Sequence, residues 1–133
     1  MKKIEHLAIA VKNIDQANKR FAKIFGKKHY KIENVETEGV ITSFFQIGLD
    51  KIELVAPTSE DSPISNFLIN RNEGMHHIAF EVGDIYSEML RIKKEGIRLL
   101  NDKPKKGADN KFICFLHPSD TNGVLIELTQ TIR

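Results

Sequence analysis

The stretch IEHLAIAV, at residues 4–11, returns in altered form as MHHIAFEV at residues 75–82, each time with a histidine in its third place. Both stretches are short, largely apolar and strand-like. Each is followed by apolar residues at helical spacing, over residues 13–26 in the first copy and 84–96 in the second. The repeat therefore predicts two modules of one design.

The two predicted helices agree in their end signals. Asn13 or Asp15 can cap the first helix, Asp84 can cap the second, and Gly26 and Gly96 suit the positions just past their ends. The residues expected on the buried faces are Ala17, Phe21, Ile24 and Phe25 in the first helix, and Ile85, Met89 and Ile92 in the second.

Short β-rich segments follow each predicted helix. They are GVITSFFQIG and KIELVAP in the first copy, and IRLL, FICFLHP and GVLIELTQ in the second. The second copy therefore reads as β-α-β-β-β, and because the copies repeat one another, we expect the same order in the first. The segment SPISNFLINR between the copies predicts a short helix. We therefore expect one domain made of two βαβββ modules, at about residues 1–58 and 75–133, joined by a helical linker at about 59–74.

Histidine and glutamate occupy matching places in both copies: His6 matches His77, and Glu53 matches Glu127. A carboxylate in an apolar strand is costly to bury unless a cation or hydrogen-bond donors meet its charge. Two imidazoles and two carboxylates suit a divalent ion such as Zn, Ni or Co, with positions left for water or substrate. The alternative is two solvent-facing glutamates and two hydrogen-bonded interior histidines, but the repetition of both residue types favours a metal site.

Composition excludes several classes of protein. The 133 residues suffice for one domain, and no apolar run approaches the roughly 20 residues of a membrane helix. The net charge of +2 is too small to indicate a nucleic-acid partner. The amino terminus has no signal-peptide pattern, so we expect a cytoplasmic protein. Cys114 lies in a predicted buried strand and is expected to be structural.

Paired βαβββ modules with a metal ligand on the first and last strand of each resemble the vicinal-oxygen-chelate superfamily. Within it, the phrases KIELVAPTSEDSPISNFL, GMHHIAFEV and FLHPSDTNGVLIELTQ are most similar to methylmalonyl-CoA epimerases. The resemblance implies an α+β glyoxalase-like fold whose two modules form a cupped mixed sheet around a metal site. It also implies a Co, Ni, Zn or Mn ion bound by His6, Glu53, His77 and Glu127.

The resemblance further implies a metal-dependent epimerase that interconverts the stereoisomers of methylmalonyl-CoA by removing the C2 proton through a metal-stabilised enolate. Glu127 would be both a ligand and an acid/base. Some of these epimerases carry a second glutamate three residues after the glycine of a GV motif, where this chain has Thr42. Glu53, or a water near Thr42, is the natural substitute.

The expected partner is an acyl-CoA substrate, with no organic cofactor beyond its CoA moiety, no nucleic acid and no membrane. Lys103, Lys105 and Lys106 are candidates for contacting the CoA phosphates, the alternative being a solvated turn. His76 would lie behind the ligands or pack in the core, and Ser43 and Gln46 are further pocket candidates. A homodimer is also compatible with the sequence.

Two other functions stay open at this point. Lactoylglutathione lyases share the ligand types and would isomerise the hemithioacetal of methylglyoxal and a thiol, but the FLHP...GVLIEL ending favours the epimerase. A non-catalytic binding module is the third possibility, although such a module need not keep a carboxylate on both terminal strands.

Overall fold

The computed structural model describes residues 1–133 and has the α+β order expected from the repeat. Its strands are β1 (Lys3–Ala10), β2 (Lys31–Val35), β3 (Val40–Ile47), β4 (Asp50–Pro57), β5 (Gly74–Glu81), β6 (Lys105–Lys106), β7 (Lys111–Phe115) and β8 (Ile126–Thr131). Its α-helices are α1 (Ile14–Phe25), α2 (Pro63–Arg71) and α3 (Ile85–Lys94). None of these helices is both long and apolar enough to cross a membrane.

The chain forms two compact units, residues 6–76 and residues 1–5 with 77–133. These units are close to the two expected copies, but the predicted module limits and linker stay a prediction. The first five residues join the second unit through a backbone hydrogen bond in which Lys2 N–H donates to the Glu81 carbonyl.

In the unit of residues 6–76, the strands lie in the order β2-β3-β4-β1, with β1 parallel to β4 and the other pairs antiparallel. One face of this sheet packs on α1. The cluster between them contains Val11, Ala17, Phe45, Leu54 and Ala56, with Phe21 and Phe25 against it. Because side chains alternate along a strand, the other face carries His6, Glu53 and their neighbours.

Helix α1 begins and ends as predicted. The Asn13 side chain accepts a hydrogen bond from Gln16 N–H, and Gly26 ends the helix with φ 73°, a conformation that favours glycine. Ile24, however, is 65% exposed, so its predicted burial is wrong. The buried stripe is centred on Asn18 and Phe25, and Ile24 lies at its edge in the last turn.

In the second unit, the strands lie in the order β5-β8-β7-β6, with β5 parallel to β8. Helix α3 covers one face of this sheet and, as predicted, buries Ile85, Met89 and Ile92. These side chains pack with Val82, Cys114, Leu116 and Leu128. The Asp84 carboxylate caps the helix by accepting hydrogen bonds from Tyr86 N–H and Ser87 N–H.

The predicted strand IRLL is wrong, because only Leu99 makes an isolated bridge, to Leu116, and the edge strand is β6 instead. The Asp120 carboxylate accepts hydrogen bonds from the backbone N–H and the guanidinium of Arg98. This long-range contact ties the segment to the turn between β7 and β8, and the segment also exchanges two backbone hydrogen bonds with the end of β7, from Leu100 N–H to the Phe115 carbonyl and from His117 N–H to the Arg98 carbonyl. The predicted helix between the copies is α2, capped by the Ser62 hydroxyl, which accepts from Ile64 N–H.

Candidate metal centre

The first histidine–glutamate pair lies on the neighbouring parallel strands β1 and β4. Ala8 is the Cα partner of Glu53, so His6 lies diagonally across from the carboxylate on the same face of the sheet. His6 Nε2 is 3.9 Å from Glu53 Oε1, and both residues are buried. The small side chain of Ala8 leaves room beside the histidine ring.

The second pair repeats this arrangement on β5 and β8. Ala79 is the Cα partner of Glu127, and His77 lies diagonally across from it. His77 Nε2 is 3.6 Å from Glu127 Oε1, and both residues are again buried. The structure therefore brings together each predicted pair within its own unit.

A phenylalanine accompanies each glutamate. Phe44 on β3 is the Cα partner of Glu53, and Phe115 on β7 is the Cα partner of Glu127. The Phe115 ring also meets His77 edge to face at 5.5 Å between ring centroids. Each unit thus carries a histidine, a glutamate and a phenylalanine on one face. Neither phenylalanine is among the residues predicted for the site, although their matching places in the preceding strands of the two copies are a usable sequence signal.

The donor atoms of each pair fit a metal ion. Both nitrogen–oxygen separations exceed the roughly 3.2 Å limit of an ordinary hydrogen bond. Two ligand atoms held at about 2.0–2.2 Å from one ion lie about 3.0–3.5 Å apart, which is close to the observed spacing. Because a buried carboxylate needs a compensating cation or donors, imidazole with carboxylate suits a borderline divalent ion here.

His76 lies beside His77 in β5, and its side chain therefore points to the opposite face of the strand. Its ring meets Phe67 of α2 edge to face at 4.9 Å between centroids. Burial lowers the pKa of His76 to about 4, so the imidazole is neutral at neutral pH. These observations favour the packing role for His76.

The residues of β3 divide between the two faces of their sheet. Thr42 shares the face of Phe44, is buried, and donates its hydroxyl to the Glu33 carbonyl at 3.3 Å. Ser43 points the other way and donates to Asn18 Oδ1 of α1, so its candidacy as a pocket residue is wrong. The Gln46 amide donates to the carbonyls of Gly48 and Asp50 in the β3–β4 turn.

The three candidate lysines point to different surroundings. Lys105 is the Cα partner of Ile113 and therefore lies on the Glu127 face, whereas Lys106 is the Cα partner of Phe112, which packs toward α3. Lys103 lines a cavity of about 580 Å³ between α3 and the loop that follows it. Of the three, Lys105 alone shares the sheet face of Glu127.

Most of the chain matches a known protein family. Residues 5–115 match the family model described as Glyoxalase/Bleomycin resistance protein/Dioxygenase superfamily. The matched range contains His6, His77 and Glu53, and it ends before Glu127.

Relatives with assigned activities cover nearly the whole chain. The chain is 39% identical over 130 residues to the ethylmalonyl-CoA/methylmalonyl-CoA epimerase of Cereibacter sphaeroides, a match that covers 96% of this chain and 97% of that protein. It is 38% identical to the mitochondrial methylmalonyl-CoA epimerase of Mus musculus, covering 96% of this chain and 72% of the relative.

A solved structure agrees with the same grouping. A variant of the Streptomyces coelicolor methylmalonyl-CoA epimerase, in complex with 2-nitronate-propionyl-CoA, superimposes with a TM-score of 0.95 at 32% identity. The match covers 100% of this chain and 99% of that one. The glyoxalase-like fold expected from the sequence is confirmed by this similarity and by the family match.

Proposed function

The chain belongs to the Glyoxalase/Bleomycin resistance protein/Dioxygenase superfamily and, within it, to the methylmalonyl-CoA epimerase family, and we propose that it interconverts the stereoisomers of methylmalonyl-CoA. The observation that carries the proposal is the repeated histidine–glutamate pair, buried in each unit. The names of the relatives supply the substrate class.

We propose that His6, Glu53, His77 and Glu127 together hold one divalent ion, either Co, Ni, Zn or Mn. The support is the match of the two pairs in sequence position, burial and donor spacing. When bound, such an ion would supply Lewis-acid stabilisation of the negative charge that develops on the oxygens of the thioester and carboxylate carbons attached to C2.

The protein's own carboxylates would move the proton. Glu127 is the proposed acid/base that takes the proton from C2, because a carboxylate at the edge of the ligand set can reach the substrate carbon. Inversion requires protonation from the opposite side of C2, and Glu53, its counterpart in the other copy, is the proposed second acid/base. The Thr42 hydroxyl is engaged with the Glu33 carbonyl and is not a base at neutral pH.

The phenylalanine beside each glutamate would keep bulk water away from the reacting carbon. Phe44 is 1% exposed and is the Cα partner of Glu53, and Phe115 has the same relation to Glu127. Excluding water strengthens the electrostatic interactions within such a site and limits side reactions of the carbanion.

The CoA moiety would lie toward the lysines. Lys105 has the strongest case among the three, because it shares the sheet face of Glu127 and is exposed. Lys103, which lines the cavity beside α3, and Lys106, on the α3 face of the sheet, remain proposed contacts for the CoA phosphates. The homodimer and the cytoplasmic location expected from the sequence stay predictions.

The deciding experiment is proton NMR of metal-loaded protein with methylmalonyl-CoA in D2O. We expect deuterium to enter at C2, and a chelator or Glu127→Gln to abolish this exchange. A stereospecific mutase then confirms inversion. A parallel reaction contains the hemithioacetal of methylglyoxal and glutathione. Thioester formation from the hemithioacetal, without C2 exchange in methylmalonyl-CoA, would show that the protein is a lactoylglutathione lyase and not an epimerase.

A further inference from the structure

A buried hydroxyl lies next to the proposed ligand Glu127. Thr129 follows two residues later on β8, so its side chain lies on the same face of the sheet, about 7 Å away along the strand. It is 1% exposed, and its Oγ1 has no hydrogen-bond partner within the protein. Burying a hydroxyl without a partner costs about 1–3 kcal/mol, so the hydroxyl needs an explanation.

The other copy shows that the fold does not require a hydroxyl at this position. Val55 follows Glu53 by two residues, as Thr129 follows Glu127, and valine has nearly the shape of threonine without the polar atom. Val55 is 3% exposed, so both positions are buried. Packing alone would therefore be satisfied by valine at position 129.

The cross-strand neighbours show the same exchange in reverse. Thr42 is the Cα partner of Val55, and Ile113 is the Cα partner of Thr129. Each unit thus pairs one threonine with one β-branched apolar residue beside its glutamate. The Thr42 hydroxyl has a protein acceptor, the Glu33 carbonyl, whereas the Thr129 hydroxyl has none.

We propose that the Thr129 hydroxyl binds the substrate by donating a hydrogen bond to an oxygen of the acyl group. The proposal rests on the epimerase function, and it deepens it by naming a residue that recognises the substrate. The two copies match in ligands but differ in this hydroxyl. A donor present in one copy alone gives an unsymmetrical acyl group a preferred orientation in a nearly symmetrical ligand set.

The test compares the binding of two thioesters to metal-loaded protein by calorimetry. Methylmalonyl-CoA has both a thioester oxygen and a free carboxylate, and propionyl-CoA has only the former. We expect Thr129→Val to weaken methylmalonyl-CoA binding about tenfold or more and Thr129→Ser to stay within about threefold of wild type. Loss for methylmalonyl-CoA alone identifies the carboxylate as the acceptor, and equal loss for both identifies the thioester oxygen.

A matched control removes a buried hydroxyl from the other face of a sheet. Ser43→Ala loses the hydrogen bond to Asn18, and we expect it to lower the melting temperature but leave thioester affinity unchanged. If Thr129→Val raises the melting temperature and binds both thioesters as wild type does, the hydroxyl is merely unsatisfied and the proposal is overturned. Thr129→Ala provides the same comparison if the valine variant does not fold.

Wild-type behaviour separates this proposal from the proposed function. If wild-type protein exchanges the C2 proton and Thr129→Val binds normally, only the role of Thr129 is lost. If wild-type protein binds neither thioester, both proposals are overturned.

Discussion

His77 Nε2 lies 3.6 Å from Glu127 Oε1, and the two residues stand on neighbouring parallel strands with an alanine directly opposite the glutamate. His6 and Glu53 repeat the relation at 3.9 Å. In both pairs the imidazole and the carboxylate lie diagonally across neighbouring strands rather than directly opposite each other.

Replacing His77 with alanine should remove one metal ligand. Loss of a group that only supports a ligand already lowers metal affinity about 10- to 100-fold, so we expect loss of His77 to lower it by more than about 100-fold. Titration of metal-free protein with Zn, Co, Ni and Mn by calorimetry measures this. His29→Asn is the histidine control, because His29 packs against Phe45 on the α1 side of its sheet. Equal affinities in the two variants would contradict the ligand assignment.

Replacing Glu53 with glutamine tests the second acid/base. The amide oxygen can still bind a metal, but it cannot accept a proton from carbon. Because general acid–base catalysis contributes about 10²- to 10⁴-fold, we expect turnover to fall within that range while bound metal is retained. Metal content and coupled-mutase turnover are measured on the same sample. Undiminished turnover with full metal content would exclude Glu53 as a proton carrier.

Neutralising Lys105 should weaken binding of the CoA substrate. We expect Lys105→Ala to raise the KM about 3- to 10-fold and to reduce its salt dependence, since solvent screens an exposed charge. Lys106→Ala should have a smaller effect on KM, because Lys106 lies on the face of the sheet opposite Glu127. Lys23→Ala, on the exposed side of α1, controls for the loss of one positive charge. An equal rise in KM for Lys105→Ala, Lys106→Ala and Lys23→Ala would mean that the lysines act only through the overall positive charge of the protein.

The Arg98–Asp120 contact should give stability that depends on acid. Hydrogen bonds from the Arg98 side chain and backbone lower the pKa of Asp120 to about 2. A carboxyl group with a lowered folded-state pKa stabilises the protein above its unfolded pKa, near 4, and this contribution is lost as pH falls toward 2. We therefore expect the melting temperature of Asp120→Asn to be below that of wild type at pH 7 and to approach it near pH 2.

Added salt should reduce the difference in melting temperature between Asp120→Asn and wild type at neutral pH, because the Arg98 guanidinium is exposed to solvent. Glu60→Gln provides an exposed carboxylate for comparison. A difference between Asp120→Asn and wild type that is constant from pH 7 to pH 2 would mean that the carboxylate charge contributes nothing.

The repeat made the main features predictable from the sequence. Helix caps such as Asn13 and Asp84 depend on residues within one turn, so the local signal suffices. The expected histidine and glutamate pairs come together within each unit because alternation in parallel strands fixes the face on which each lies.

Features set by distant contacts were not predictable in the same way. The Arg98 backbone N–H donates to the carboxylate of Asp120, 22 residues later, and no local sequence pattern predicts this contact. The prediction that Ser43 and Gln46 both face the pocket is a different case, because their odd separation along one strand places the side chains on opposite faces, which alternation alone indicates. The bonding state of the Thr129 hydroxyl depends on packing in three dimensions and has no sequence signal of its own.

Residues 1–5 belong to the unit that otherwise spans residues 77–133, and the hydrogen bond from Lys2 N–H to the Glu81 carbonyl joins the two segments. During synthesis, the start of β1 therefore emerges from the ribosome long before its neighbours in that unit exist. We expect residues 6–76 to begin folding before residues 1–5 can pair with the rest of their unit. Completion of the second unit then depends on closing a long loop, so the last step of folding is expected to be slow relative to the first.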